Sequence, residues 1–284
     1  MKQKSVLLIA GPTASGKSAV ALEAAKTRNG VIINADSMQV YRELRILTAR
    51  PNVEEELQAP HRLYGTVSGS HHYSVAQWLA DATHEIEMCW QQDQLPIVCG
   101  GTGLYFMALE KGLAKVPPID PPIREKWRSF EGDFHAELTQ RHKPSAENLN
   151  PADRQRLIRA LEVIDSTGKP LSQWQAEAQE HSLLSGVTIE RLYMNVARDE
   201  LYARADKRFD AMMERGALAE VKALPVLDAA MPLMKAIGVP QLRGFLSGEL
   251  TLDNAVSLSK IATRHYIKRQ TTWSRGQMKE WPVG

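Results

Sequence analysis

The residues best suited to chemistry are Gly11-Pro12-Thr13-Ala14-Ser15-Gly16-Lys17-Ser18. They follow the apolar run Ser5-Val6-Leu7-Leu8-Ile9-Ala10 and precede the helix-like Ala19-Val20-Ala21-Leu22-Glu23-Ala24-Ala25-Lys26. A strand, then G-x-x-x-x-G-K-[ST], then a helix is the context of a phosphate-binding P-loop. Glycines let the backbone curl so that successive N–H groups point inward at anionic oxygens. Lys17 adds a point charge for a terminal phosphate, and the Ser18 hydroxyl is placed to ligate Mg²⁺. The helix opening at Lys17 contributes its positive dipole end. Gly11, Pro12, Thr13, Ala14, Ser15, Gly16, Lys17 and Ser18 are therefore expected to hold a di- or triphosphate.

Three further features narrow the reaction. Asp36 ends the second strand-like run, Val31-Ile32-Ile33-Asn34. It has three readings: a metal ligand, a general base, or a carboxylate that caps the next turn. Ser37, Met38 and Gln39 follow in a loop-like stretch with hydrogen-bonding groups, which suits a base that meets an acceptor substrate. Gly100-Gly101-Thr102 ends a third run, Pro96-Ile97-Val98-Cys99. No carboxylate stands there to hold Mg²⁺ and a hydrolytic water, which weakens a motor-ATPase reading; a tight turn with Thr102 as helix cap is the alternative. Arg204 and Arg208 lie one helical turn apart and so share a face. They could clamp a leaving diphosphate, or belong to a surface network with Asp206 and Asp210.

The elements that must position these residues alternate. Strand-like runs at 5–10, 31–34 and 96–99 are separated by helical segments, with a return to strand over 188–197. That pattern predicts a parallel sheet covered on both faces. Ligands of such sheets sit at the carboxyl ends of the strands, which brings Asp36 near the loop at 11–18. Ser74 is expected to cap a helix over 75–92 with Val75, Leu79, Ala82, Ile86 and Trp90 on one face. Residues 42–72 read as mixed loop. Pro117-Pro118-Ile119-Asp120-Pro121-Pro122 marks a boundary, because it continues neither helix nor sheet. From 123 to 185 the pattern is helical, with one helix expected to have Asn150 as N-cap, Pro151 at its first position and Gly168 and Pro170 at its close. Helices are expected over 200–215, 217–224 and 252–272, the last with Leu258, Ile261, Ala262 and Tyr266 on one face. From Lys260 to Lys279 there are six basic residues and no acidic one, a pattern that points to an anion or nucleic acid.

Composition sets outer bounds. With 284 residues, 43% hydrophobic and 24% charged, the chain fits a globular core plus an insertion. A net charge of +2 is close to neutral, so attraction to nucleic acid must come from a local patch. Cys89 and Cys99 are the only cysteines, which argues against a disulfide framework or structural zinc and suits a reducing cytoplasm. The first apolar run is too short for a signal peptide and leads into the loop, and no stretch approaches a membrane span.

Five motifs together resemble the signatures of tRNA dimethylallyltransferases. They are the 11–18 loop, Asn34-Ala35-Asp36-Ser37-Met38-Gln39-Val40-Tyr41, Gly100-Gly101-Thr102-Gly103-Leu104-Tyr105, Arg159-Ala160-Leu161-Glu162-Val163, and Lys268-Arg269-Gln270-Thr271-Thr272-Trp273. They occur in the family's order and span nearly the whole chain. The resemblance implies an α/β fold, a P-loop NTPase-like parallel sheet core with an inserted helical domain. The core would be 1–116 and 188–284 with its basic C-terminal helix, and the tRNA-binding insertion 117–187.

It further implies transfer of a dimethylallyl group from dimethylallyl diphosphate to the N6 amine of the adenosine 3′ of the anticodon, with Mg²⁺ as cofactor. The loop would then hold the prenyl diphosphate. Lys17 and Arg208 would stabilise the leaving diphosphate, Asp36 would accept the amine proton, and Thr102 would contact the same site. Asp36, Ser37, Met38, Gln39, Thr102, Arg124, Gln155, Arg156, Leu157, Ile158, Arg159, Lys268, Arg269 and Arg275 would contact tRNA, whose target base must be flipped out. For the insertion residues the alternative is packing, with Leu157, Ile158 and Leu161 as core. A cytoplasmic monomer is expected. The chain departs from the pattern at Val239-Pro240-Gln241, where many members carry Tyr and a basic or polar residue. Rival readings are an adenylate prenyltransferase, a small-molecule kinase and an RNA-binding P-loop NTPase.

Overall fold

The structure is a computed structural model that describes residues 3–179, 183–225 and 228–284. Met1, Lys2 and residues 180–182 of the expected helical stretch lie outside the described residues. The chain forms two compact units, Met1–Met107 with Gly186–Gly284, and Ala108–Ser185.

The first unit opens with β1 (Ser5–Ala10), α1 (Lys17–Thr27), β2 (Gly30–Asn34), α2 (Val53–Gln58), β3 (His61–Arg62), α3 (Val75–Gln91) and β4 (Leu95–Gly100). Next comes α4 (Gly103–Lys111), whose last residues belong to the second unit. That unit holds α5 (Pro121–Ser129), α6 (Phe134–Glu147), α7 (Arg154–Thr167) and α8 (Leu171–Gln179). The chain re-enters the first unit with β5 (Thr188–Tyr193), α9 (Arg198–Glu214), α10 (Ala217–Lys222), a 3₁₀ turn at Pro232–Lys235, α11 (Val239–Leu246) and α12 (Leu252–Gln277).

The sheet runs β3-β2-β4-β1-β5, and every pair is parallel. The continuous apolar runs of β1, β2 and β4 suit strands buried on both faces. The register pairs Ala10 with Gly100 and Asn34 with Cys99. The carboxyl ends of three adjacent strands therefore finish level. Gly100 must be glycine here, because a Cβ would overlap the Ala35 carbonyl.

Three expected faces or caps differ from the observed ones. In α3 the Ser74–Gln77 capping box forms, but the buried face is Trp78, Ala82, Ile86 and Cys89. Trp78 takes the inner position because its Nε1 donates to Asn34 O at 2.7 Å and its ring stacks on Tyr105. In α7 the N-cap is Asp153 rather than Asn150, and Pro151 precedes the helix. Asn150 Oδ1 accepts from Ala152 N, an Asx turn that delays the helix start. In α12 Leu258 and Ile261 are exposed, while Ala255, Ser259, Thr263, Ile267 and Gln270 face inward. Ser259 and Thr263 donate their hydroxyls to carbonyls one turn back, which satisfies them within the helix and permits burial.

The second unit packs Trp127, Leu138, Ala146, Leu157, Ala160 and Leu161 into its own core. Asp165 accepts from Lys126, Trp127 Nε1 and Arg141, and so joins α5, α6 and α7.

Candidate active site

Strand order explains the site. β2, β4 and β1 are neighbours, so Asp36, Thr102 and the loop at 11–18 emerge side by side from their carboxyl ends. The loop curls through two left-handed residues, Ala14 (φ 65) and Gly16 (φ 89). Only glycine adopts that conformation without cost, and the Ala14 strain is of the kind found at ligand clamps. Gly16 caps α1 without a side-chain bond, and the first turn has no acidic residue. The helix therefore leaves its N–H groups and positive end to a ligand. Lys17 Nζ donates to Pro12 O at 3.2 Å across the loop. Ser15 Oγ is buried without a hydrogen-bond partner among the described residues. An orphaned buried hydroxyl costs about 1–3 kcal/mol, which an anionic oxygen would offset.

Asp36 is held from both sides. Its N–H donates to Asn34 Oδ1 at 2.8 Å, and its carbonyl accepts from Asn34 Nδ2 at 3.0 Å. Its own Oδ1 accepts from Met38 N at 2.9 Å. Thr102 is fixed beside it: Thr102 N donates to Ala35 O, and Thr102 Oγ1 accepts from Ser37 N at 2.9 Å. Burial pushes the Lys17 ammonium below its ordinary pKa, against the opposing pull of Cys99 and Asp36, and nearby Arg208 lowers it further. Burial likewise lowers Arg208, with Asp36 opposing. Both cations are thus held desolvated, a cost that a bound anion would relieve. Burial raises the Cys99 thiol to about 11, so it is neutral and takes no part.

Two cavities adjoin these groups. One, of about 220 Å³, is lined by Thr13, Asp36, Ser37, Met38, Thr48, Arg208, Tyr266 and Arg269 among others. The other, of about 240 Å³, is lined by Gly11, Gly100, Gly101, Thr102, Gly103, Arg269, Gln270 and Trp273 among others. Tyr266 and Arg269 line both.

Some expected site residues do other work. Arg204 is exposed and paired with Glu200, so only Arg208 of that pair reaches the cavity. Asp206 pairs with Arg264, and Asp210 with Lys260 at 2.6 Å. The one-signed run of α12 is thus complemented in its first half by α9, which leaves Lys268, Arg269 and Arg275 as its exposed cations. The Gln39 amide donates to Thr48 O and Ala49 O, so only its oxygen is left for a base. In the second unit Arg124, Gln155 and Arg156 are exposed, Arg156 beside Asp153. Ile158 and Arg159 are half-buried and line a cavity with Arg128, Arg154, Gln155 and Glu162. Leu157 is buried in that unit's core, so packing is its role there. Val239-Pro240-Gln241 opens α11, with Gln241 Oε1 accepting from Gly238 N. Sequence reasoning missed Gln270, Tyr266 and Asn34 as site-building residues. Gln270 and Asn34 stand inside quoted motifs, the only signal they gave.

Ser18 is exposed at the loop's end. One hydroxyl beside an anion-binding loop fits Mg²⁺, which takes few protein ligands and completes its shell with phosphate oxygens and water.

The arrangement supports group transfer away from a diphosphate. Arg208 and the Asp36 carboxylate line one small cavity, and Gly11 of the loop and Thr102 line a second that shares Tyr266 and Arg269 with it. Comparison with known proteins agrees. The profile of the IPP transferase family matches residues 39–277. A tRNA dimethylallyltransferase of Azorhizobium caulinodans is 50% identical, covering 98% of this chain and 91% of the relative. One of Bradyrhizobium sp. is 48% identical over 99% of this chain and 93% of the relative. A eukaryotic dimethylallyltransferase acting on tRNA superposes with a TM-score of 0.84 at 28% identity, covering 95% of this chain and 70% of its own. The tRNA isopentenylpyrophosphate transferase of Bacillus halodurans gives 0.69 at 33% identity, covering 99% and 90%. The chain belongs to the tRNA dimethylallyltransferase family of IPP transferases.

Proposed function

We propose that this enzyme transfers the dimethylallyl group of dimethylallyl diphosphate to the N6 amine of the adenosine 3′ of the anticodon in tRNA, releasing diphosphate. The observation that carries the reading is the convergence of the 11–18 loop, Thr102 and Asp36 at three neighbouring strand ends.

In this reading the loop amides, Lys17 and Arg208 hold the diphosphate and stabilise the charge that grows on it as the carbon–oxygen bond breaks. The N6 lone pair forms the new bond to the allylic carbon, and Asp36 accepts the proton that N6 sheds. Thr102, fixed by Ser37 N, orients the acceptor. Mg²⁺ bound at Ser18 and the diphosphate would supply further charge neutralisation. The target adenine must leave the anticodon-loop stack to reach Asp36. Ser37 and Met38 line the cavity with Asp36, and they and the oxygen of Gln39 would meet the adenine. Lys268, Arg269 and Arg275 would lie on phosphates, and Arg124, Gln155, Arg156 and Arg159 would meet the RNA from the helical unit.

We take the enzyme to act as a cytoplasmic monomer. Its cysteines are free and buried, and no helix among the described residues is long and apolar enough to cross a membrane. The test offers labelled dimethylallyl diphosphate with Mg²⁺ to an anticodon stem-loop bearing adenosine 3′ of the anticodon, beside free AMP and ATP. Label on the stem-loop alone is expected. Label on AMP would assign a nucleotide prenyltransferase instead, and RNA-stimulated ATP hydrolysis without transfer would assign an NTPase.

A further inference from the structure

We infer that Gln270 is a positioning residue that fixes the diphosphate loop against the turn carrying Thr102, so that α12 sets the geometry of donor binding as well as facing the acceptor. The inference rests on the diphosphate reading of the 11–18 loop.

Gln270 is buried, and both ends of its amide are used. Its Oε1 accepts from Thr13 N at 2.9 Å, inside the loop. Its Nε2 donates to Gly101 O at 2.9 Å, in the turn between β4 and α4. One side chain from a helix at the far end of the sequence therefore ties the loop after β1 to the turn after β4. The bridge needs one donor and one acceptor at once, which the carboxamide supplies. Space confirms the fit: a Cβ at Gly101 would collide with the Gln270 amide, and one at Gly103 with the Trp273 ring. Tyr266, one turn before Gln270 on the same face, lines a cavity with Thr102. Gln270 and Trp273 thus engage Gly101 and Gly103 in turn, like a template laid along the segment.

Thr13 N is also one of the loop amides, and Gln270 turns it away from solvent. The amide plane of Gln270 hence fixes where the loop's remaining N–H groups and Lys17 stand relative to Thr102 and Asp36.

The experiment compares wild type with Gln270→Met, which keeps length and removes both bonds, and Gln270→Glu, which keeps the acceptor for Thr13 N but sets a carboxylate against the Gly101 carbonyl. Binding of inorganic pyrophosphate with Mg²⁺ and binding of the anticodon stem-loop are measured by calorimetry, and KM for each substrate and kcat by transfer. Both variants should bind pyrophosphate about 10- to 100-fold more weakly and raise the donor KM similarly, through two lost hydrogen bonds in Gln270→Met and through one lost bond plus carboxylate–carbonyl repulsion in Gln270→Glu. Stem-loop affinity and its KM should stay within about twofold. A merely structural role would lower the active fraction, and with it kcat, while leaving both KM values unchanged; that result overturns the inference. So does wild-type pyrophosphate affinity in both variants. Absence of transfer by the wild-type enzyme would overturn the proposed function, whereas the pyrophosphate comparison judges Gln270 separately.

Discussion

Asn34 brackets Asp36: its Oδ1 takes the Asp36 N–H at 2.8 Å and its Nδ2 reaches the Asp36 carbonyl at 3.0 Å and the Leu63 carbonyl at 3.1 Å. Asn34 is itself fully buried, so Asp36, two residues beyond the end of β2, inherits the rigidity of the sheet. Replacing Asn34 with Ala removes these three bonds and frees the Asp36 peptide. Misplacement of a base by about 1 Å costs on the order of 10²-fold in rate. Asn34→Ala is expected to lower kcat by about 10- to 100-fold with donor KM little changed. Unchanged kcat in the folded variant would remove Asn34 from the positioning of Asp36.

Lys17 gives the donor site a pH signature. Burial lowers its pKa below the ordinary lysine value of about 10.4. In the proposed mechanism the charged form binds diphosphate, so donor affinity is full at neutral pH and is lost as pH rises through the lowered value. Donor KM should therefore climb on the alkaline side at a pH where a solvated lysine is still charged. Lys17→Arg should remove that climb. Identical alkaline profiles for the two proteins would show that another group controls donor binding.

The two halves of the basic α12 run should behave differently. Lys268 and Arg269 are exposed, whereas Lys260 and Arg264 are neutralised by Asp210 and Asp206 of α9. Replacing both Lys268 and Arg269 with Ala should weaken stem-loop binding and reduce its salt slope by about 1–2 units. Replacing Lys260 and Arg264 should leave the slope as it was and cost at most about 1 kcal/mol of stability per pair. Equal effects on the slope would mean that the α9 carboxylates do not shield the first half.

What the sequence revealed tracks how local each signal is. The loop at 11–18, the Ser74 capping box and the apolar runs of β1, β2 and β4 depend on neighbours in sequence, and they were legible. Residues 42–72 were not. Their path is set by side chains from afar: Glu220 takes the N–H groups of Arg45, Ile46 and Leu47, and Glu43 takes that of Gly69. No periodicity marks such a loop. The α12 face was misjudged because hydrophobicity alone favoured Leu258 and Ile261. The observed inner face uses small and polar residues that satisfy themselves or, in Gln270, the active-site loops. Arg204 and Arg208 share spacing but not fate, since Glu200 lies one turn before Arg204 and holds it at the surface.

The most direct test of the central claim is a single-turnover measurement on Asp36→Asn with both substrates bound in advance. Asparagine keeps an oxygen for Met38 N and so preserves the turn, but it does not accept the proton shed by the N6 amine. The account predicts a chemical step slower by about 10²–10⁴-fold, with stem-loop and pyrophosphate affinities close to wild type. A rate within a few-fold of wild type, or a collapse of stem-loop binding in place of the rate, would contradict the assignment of Asp36 as the base.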